Sequence, residues 1–178
     1  AFDLCYLLER VDLPNTVKTI GAYAFAYCNN LKSIGFSNIL KTIDEGAFKC
    51  CGALKAIIIP DSVEWIAYEA FSESVIENLE FGKGFKKDKD AFDLTTIKNL
   101  TIPFSLLKYV RDKLWDSASH STNIMHFTLK LNDRDNIKDY FDIRNNGIMS
   151  YEKHVIILPN GMIRDKALVE EFRNSRLK

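Results

Sequence analysis

The sequence lacks a surplus of charge of either sign, and it lacks long apolar runs. Its 178 residues carry 24 Lys plus Arg against 24 Asp plus Glu, so bulk charge gives no long-range attraction to nucleic acid or to an anionic membrane. No stretch approaches the roughly 18 apolar residues of a membrane-spanning helix. We therefore expect no nucleic-acid partner and no membrane insertion.

Catalytic and metal-binding patterns are also missing. The sequence contains no nucleophile elbow, no P-loop and no H-E-x-x-H helix. A zinc site needs short-range pairs such as C-x-x-C, whereas Cys50 and Cys51 are adjacent and no His lies near them. We expect no enzyme activity, no cofactor and no metal. An enzyme built on the non-repeat tail, with His126 or His154 as base, ranks last because no nucleophile or orienting partner is visible.

What the sequence does contain is an internal repeat of about 23 residues. Ala-Phe pairs recur at intervals of 23, 23, 23 and 21, and a small residue stands three positions after each Phe. We number the units from these pairs, so that they begin at Ala1, Ala24, Ala47, Ala70 and Ala91. The Phe residues are Phe2, Phe25, Phe48, Phe71 and Phe92, and the small residues are Cys5, Cys28, Cys51, Ser74 and Thr95.

An apolar triplet with the spacing L-x-x-L-x-L follows each small residue. This period and this triplet are typical of a solenoid, in which stacked units align their apolar positions into ladders and their short strands pair in parallel. The Phe is expected to fill the coil interior, and the Cys position needs a small, mostly apolar side chain. The triplets are Leu8, Val11 and Leu13; Leu31, Ile34 and Phe36; Leu54, Ile57 and Ile59; Ile76, Leu79 and Phe81; and Ile97, Leu100 and Ile102.

The stretches GAYAFAYCNNLKSIGF and DEGAFKCCGALKAIIIP resemble the BspA-like, Treponema-type leucine-rich repeat. The resemblance covers about residues 1–103 and implies a right-handed solenoid with a parallel sheet on one face. Members of this family are often described as surface proteins or adhesins that bind other proteins. The resemblance therefore implies a protein partner and a cell-surface or secreted location.

The remainder of the chain is expected to finish the solenoid and cap it. We predict a helix over about 105–117, then a sixth rung whose triplet is Ile124, Phe127 and Leu129, so that the solenoid spans 1–131. A capping region over 132–178 would hold a hairpin turn at Asn145-Asn146-Gly147, a second turn at Asn160-Gly161 and a short terminal helix. The predicted fold class is thus α/β, a leucine-rich-repeat solenoid followed by a C-terminal α+β cap.

The chain begins inside a repeat, at an Ala-Phe pair. Its first residues have neither the basic start nor the cleavage site of a signal peptide, and no initiator Met precedes them. We read the chain as a fragment or processed form and expect more repeats before residue 1.

The fourth linker, GKGFKKDKDAF, breaks the pattern with charge. Lys87 is aligned with Ile20, Ile43 and Ile66, and Phe85 alone can supply the linker's apolar contact. Two interpretations stay open: a looped-out, solvated turn, or a loop that binds a partner.

The cysteines divide into one ladder and one outlier. Cys5, Cys28 and Cys51 occupy the same position of successive units and are expected to be buried thiols rather than disulfides. Cys50 stands in a variable position and is the best candidate for an exposed, reactive thiol.

The candidate functional residues lie outside the apolar ladders. Ala56 and Ile58 alternate with inward positions and should point outward, and Trp65 is aligned with two Thr and should face solvent or a partner. With Tyr23 and Tyr68 on nearby turns, these residues form a candidate protein-contact surface. Single exposed apolar residues are also ordinary on a monomer.

We expect a non-enzymatic protein-binding module, with an adhesin or host-interaction role as its specific form. The alternative is a structural spacer or oligomerising segment of a larger protein, which would self-associate through the N-terminal repeat end.

Overall fold

Each repeat unit folds into one coil of a parallel β-solenoid. The computed structural model describes residues 1–88, 91–92, 96–106, 126–130, 153–158 and 161–164. The strands in chain order are β1 Arg10–Asp12, β2 Thr19–Ile20, β3 Ser33–Gly35, β4 Thr42–Ile43, β5 Ala56–Ile58, β6 Trp65–Ile66, β7 Val75–Glu80, β8 Lys87–Asp88, β9 Thr96–Pro103, β10 His126–Lys130, β11 Lys153–Leu158 and β12 Gly161–Arg164.

The strands form two walls of the coil. The first strand of each unit lies on one wall, called here the strand face, where β1 pairs with β3 and a separate sheet has the order β12-β11-β10-β9-β7-β5. The second strands form the other wall, in the order β2-β4-β6-β8. A run of tight turns that holds the Ala-Phe pairs closes the coil, and we call it the turn side. Neighbouring coils therefore pair in parallel, as the repeat predicted.

A single file of stacked Phe rings fills the coil interior. The centroids of successive rings lie 5.3, 5.3, 5.2 and 5.1 Å apart, with interplanar angles of 5 to 8°. Phe48 and Phe71 are fully buried, whereas Phe2, at the end of the file, is 45% exposed. The predicted interior role of the Phe is confirmed. The stacked rings are Phe2, Phe25, Phe48, Phe71 and Phe92.

The triplet positions form the rest of the core. They point inward because side chains alternate along a strand, and the triplets of units 3, 4 and 5 are almost fully buried. The apolar positions of the corners and second strands lie beside them. The buried members include Ile20, Leu31, Leu40, Ile43, Leu54, Ile57, Ile59, Val63, Ile66, Ile76, Leu79, Phe81, Ile97, Leu100 and Ile102.

The position three residues after each Phe requires a hydrogen-bond donor as well as a small side chain. The Cys28 thiol donates to the carbonyl of Phe2 at 3.0 Å, and the Cys51 thiol donates to the carbonyl of Phe25 at 3.1 Å. The Ser74 hydroxyl donates to the carbonyl of Phe48 at 3.2 Å. The position therefore selects a small side chain that can also donate a hydrogen bond to the preceding coil.

The turn side depends on residues in the left-handed backbone region. Tyr23, Gly46 and Glu69 stand two positions before successive Phe residues and have φ values of +53 to +57°. Residues other than glycine rarely adopt this backbone conformation. The conformation is nevertheless retained because it aims backbone N–H groups at the next coil, as in the bond from Tyr23 to the carbonyl of Glu45 at 2.8 Å.

The described part of the charged fourth linker, residues 82–88, lies close against the preceding coil rather than looping out. A Cβ at Gly82 would lie 2.5 Å from backbone atoms of Pro60 and Asp61, so only glycine allows the chain to approach this closely. Phe85 is buried, as expected. The alignment of Lys87 with the Ile series was wrong, because Lys87 pairs with Trp65 and the next residue, Asp88, stands opposite Ile66. No apolar side chain marked the register there.

Beyond unit 5 the strand face continues. β10 pairs in parallel with β9, and β11 pairs antiparallel with β12. The second predicted turn, at Asn160-Gly161, stays a prediction because residues 159 and 160 lie outside the described residues. Residues 104–106 form a 3₁₀ helix, Phe104–Leu106. The rest of the predicted 105–117 helix, the turn at 145–147 and the terminal helix lie outside the described residues.

Neither an α-helix nor a helix long and apolar enough to span a membrane occurs among the described residues. The α/β label is therefore not supported, and this part of the chain is a parallel β-solenoid. The boundary at residue 131, the handedness of the coil and the α+β character of the cap stay predictions.

The Phe file gives a graded test of stability. Phe48→Ala should lower the free energy of unfolding by about 3–5 kcal/mol because it leaves a ring-sized cavity in a closed core. Phe2→Ala is the matched control and should cost clearly less, since that ring is already half exposed. Urea unfolding followed by tryptophan fluorescence measures both, and equal losses would contradict the predicted dependence on position.

The thiol ladder gives a second test. Cys51→Ser keeps the donor and should leave the free energy of unfolding nearly unchanged. Cys51→Ala removes the donor and should cost about 1–2 kcal/mol more than the Ser variant. If Ser proves as damaging as Ala, the position is governed by apolar character rather than by hydrogen bonding.

Candidate protein-contact surface

Ala56 and Ile58 point outward from the strand face, as the alternation predicted. Ile58 is 66% exposed, whereas Ile57 between them is 1% exposed. The outward neighbour of Ile58 on β7 is Glu80. On the other side, the repeat aligns Ile58 with Gly35, which has no side chain. Ile58 is therefore an apolar side chain without an apolar neighbour in its own outward row.

Trp65 belongs to the other wall. It lies on β6, between Thr42 on β4 and Lys87 on β8, which confirms its alignment with the Thr series. The side chain is half-buried and makes contacts within the coil. Trp65 thus offers part of its surface to a partner and uses the rest for packing.

Tyr23 and Tyr68 are held on the turn side at 42% and 38% exposure. The Tyr23 hydroxyl donates to a carboxylate oxygen of Glu45 at 2.6 Å, and this hydrogen bond raises the pKa of Tyr23. The Tyr23 ring lies across Gly46, where a Cβ would approach it to 2.4 Å. Both Lys49 and Tyr68 hydrogen-bond Glu69, which lowers the pKa of that carboxyl. Neighbouring side chains and hydrogen bonds therefore position both rings.

The five candidate residues therefore occupy different parts of the coil. Ala56 and Ile58 share the strand face, Trp65 lies on the second wall, and Tyr23 and Tyr68 lie on the turn side. We call the first two the strand-face pair and the other three the aromatic group.

Tyr27 is an exposed aromatic residue that the candidate set did not include. Tyr27 is 40% exposed and stands two positions after Phe25 in a left-handed turn. Its equivalents in the neighbouring units are Leu4 and Cys50, which share the same backbone conformation. Alignment of these positions was the signal that could have placed Tyr27 beside Tyr23 on the turn side.

Ion pairs between coils surround the candidate residues. Glu64 accepts from Lys41 at 2.8 Å and from Lys86 at 2.5 Å, and these two ammonium groups lower the pKa of Glu64 to about 2. Lys49 donates to Glu69 at 2.5 Å, which raises the pKa of Lys49. Exposed pairs such as those of Glu64 contribute little stability, whereas the Lys49–Glu69 pair is partly buried. Their effect is to favour one register of neighbouring coils.

Cys50 is not the exposed, reactive thiol that its position suggested. The side chain is half-buried, and its sulfur lies 3.7 Å from a carboxylate oxygen of Glu73. Burial and the Glu73 charge both raise the pKa of the Cys50 thiol. Because the thiolate is the nucleophile, this environment makes the thiol less reactive. Glu73 lies 23 residues away and becomes a neighbour only when the coils stack.

The described part of the chain offers little for metal binding or for thiol chemistry. No group of three or more His, Cys, Asp or Glu residues there could hold a metal ion. Burial raises the pKa of the Cys51 thiol to about 12, so that this thiol is protonated at neutral pH. What this region offers a partner is surface.

The chain matches one known family. The family model described as the BspA type leucine rich repeat region matches residues 1–128 in six copies. Comparison with curated proteins and with solved structures gave no match.

The environment of Cys50 can be tested by alkylation. Iodoacetamide should modify Cys50 more slowly than a free cysteine at pH 8, and its rate–pH profile should be displaced to higher pH. Glu73→Gln should increase the rate several-fold, because a negative charge that opposes the thiolate is removed. Peptide mapping by mass spectrometry separates Cys50 from the other thiols.

Glu77→Gln, a change of the same kind away from the thiol, should leave the rate unchanged. A Cys50 that reacts as fast as free cysteine in the unsubstituted protein would show that the carboxylate does not control it.

Proposed function

Because the chain belongs to the BspA type leucine-rich repeat family, we propose that it binds another protein through the outer surface of its solenoid. Leucine-rich repeats commonly mediate protein–protein interaction. Stacked repeats create extended surfaces of the kind that such proteins use for binding. The apolar ladders are used inside the coil, so specificity must come from the outward positions.

The observation that carries the proposal is the exposure of Ile58. It is 66% exposed on β5, the first strand of the long sheet, which is hydrogen-bonded to β7. Apolar and aromatic side chains on a rigid support lose little entropy on binding and commonly form the centre of an interface. We assign the centre of the contact to the strand-face pair, Ala56 and Ile58.

The aromatic group is proposed as a separate contact. Tyr23, Tyr68 and Trp65 present partly exposed rings that are already positioned by packing and hydrogen bonds. Rings fixed in this way suit recognition because ordering them costs little.

For location we propose the cell surface or a secreted form, with adhesion or host interaction as the specific role. The support is the family, which is typically extracellular or surface-associated. The family is a protein-interaction family and is not known for catalysis. We accordingly propose a non-enzymatic function.

A second candidate function is that of a structural or oligomerising segment. The observation in its favour is the exposed apolar surface of unit 1, where Phe2 is 45% and Leu7 is 91% exposed. Sedimentation of the chain separates the two proposals. Reversible self-association that Leu7→Asp abolishes would favour the oligomerising segment, and a monomer at all concentrations would oppose it.

Binding measurements with matched variants test the primary proposal. Labelled chain is applied to candidate host cells and to immobilised surface proteins, and the bound amount is measured against concentration. Ile58→Asp should weaken binding by about tenfold or more, because it places a charge at the centre of an apolar contact. Trp65→Ala reports separately on the aromatic group.

Ile39→Asp is the control, since Ile39 is also an exposed isoleucine, at 37%, but lies outside the strands. It should bind like the unsubstituted chain. Equal binding by the Ile58 and Ile39 variants would remove the strand-face pair from the proposal.

A further inference from the structure

The strand face is interrupted between units 2 and 3. β1 and β3 form a sheet of their own, and the long sheet starts at β5. The second wall and the turn side continue between the same two units. On the second wall β4 pairs with β6, and on the turn side the amide of Phe25 donates to the carbonyl of Ala47 at 2.8 Å. We call the interruption between β3 and β5 the seam.

The first missing bond lies at the start of the strands. The amide of Lys32 donates to the carbonyl of Glu9 at 2.8 Å, and the amide of Glu77 donates to the carbonyl of Lys55 at 2.8 Å. The repeat places the amide of Lys55 opposite the carbonyl of Lys32 in the same way. Both residues are described, and no bond joins these two groups.

The second missing bond lies at the end of the strands. The amide of Ile59 donates to the carbonyl of Glu80 at 2.8 Å. The equivalent bond across the seam would run from the amide of Phe36 to the carbonyl of Ile58, and it is absent although both residues are described. The seam thus leaves two donors and two acceptors of the parallel ladder unpaired with each other.

Packing follows the same break. Ile34 and Phe36 are only partly buried, whereas the same positions of the next unit, Ile57 and Ile59, are each 1% exposed. Unit 2 has neighbours on both sides, so an end effect does not explain this difference. The core is open towards the strand face at the seam.

Charge supplies a physical reason for the break. Along the row that begins the first strands, Glu9 pairs with Lys32 at 2.9 Å and Glu77 pairs with Lys98 at 3.4 Å. Across the seam, however, the repeat sets Lys32 opposite Lys55. Like charges directly opposite one another destabilise a strand pair.

Side-chain contact across the seam is also weak. Gly35 stands opposite Ile58 and gives it nothing to pack against. On intact parts of the same face the outward pairs do interact, as Asn78 and Asn99 do through an amide hydrogen bond of 2.7 Å. Cross-strand pairs of this kind stabilise a sheet, and the seam lacks them.

The opposite side of the coil is undisturbed. The rings of Phe25 and Phe48, which face each other across the same two units, are 5.3 Å apart, the same distance as between Phe2 and Phe25. β3 and β5 still have Cα atoms within 8 Å of each other. An intervening strand would need about 9.6 Å, or twice the strand spacing. The seam therefore opens on one side and does not accept an added strand.

We propose that the seam is a hinge of the solenoid. Units 1 and 2 swing as one body against units 3 to 5, with the Phe file and the second wall as the fixed edge. Closing the hinge forms the two missing hydrogen bonds and buries Ile34 and Phe36. Repulsion between Lys32 and Lys55 holds it open.

Amide hydrogen exchange followed by NMR tests the hinge in the intact chain. The amides of Phe36 and Lys55 should exchange about tenfold or more faster than their equivalents Ile59 and Glu77, which are hydrogen-bonded in the next pair of strands. If Phe36 and Ile59 are equally protected, the seam is closed in solution and the proposal fails.

A charge variant tests what controls the hinge. Lys55→Gln removes the repulsion and should slow exchange at Phe36 about threefold or more relative to Ile59. Added salt should slow it in the unsubstituted chain, because salt screens exposed charges. Lys98→Gln, at the same position of unit 5, is the control and should not slow it. Fast exchange at Phe36 that neither Lys55→Gln nor salt reduces would overturn the hinge in favour of a fixed gap.

Discussion

The stacking of one Phe ring on the next is the interaction on which the rest of the structure depends. The rings lie 5.1 to 5.3 Å apart, close to the roughly 4.8 Å between neighbouring strands. Because the two spacings nearly agree, one aromatic file sets the coils at a distance at which their backbones can hydrogen-bond. The parallel sheets, the thiol ladder and the ion pairs between coils all require that distance.

Features that repeat could be predicted from the sequence, and features that arise between units could not. The inward triplets and the Phe file follow from spacing alone. Lys87 was misaligned by one residue because no apolar side chain stands at or next to it to mark the register. The environment of Cys50 was missed because Glu73 becomes its neighbour only after the coils stack. Ser74 was the visible sign that the Cys position needs a donor, since a serine replaces a thiol there.

The candidate contact residues show the same division. That Ile58 points outward follows from simple alternation along a strand. That it stands beside a glycine and at the edge of the seam depends on which residues the next coils bring alongside. Trp65 was correctly aligned with the Thr series. That its side chain is half-buried depends on packing within the coil, which an alignment of repeats cannot show. A repeat thus specifies the scaffold closely and leaves recognition to the positions that vary.

The turn side gives the stack a direction. Among the described residues, the backbone bonds that join neighbouring coils on this side run the same way, from an N–H group of one coil to a carbonyl of the following coil, as from Phe25 to Ala47 and from Phe48 to Ala70. In the described coils the N–H groups on this side therefore point towards the following coil and the carbonyl groups towards the preceding coil, so that the stack has an electrical polarity along its axis. Two such stacks can join end to end on this side only when both run in the same direction, because like ends would bring acceptors against acceptors.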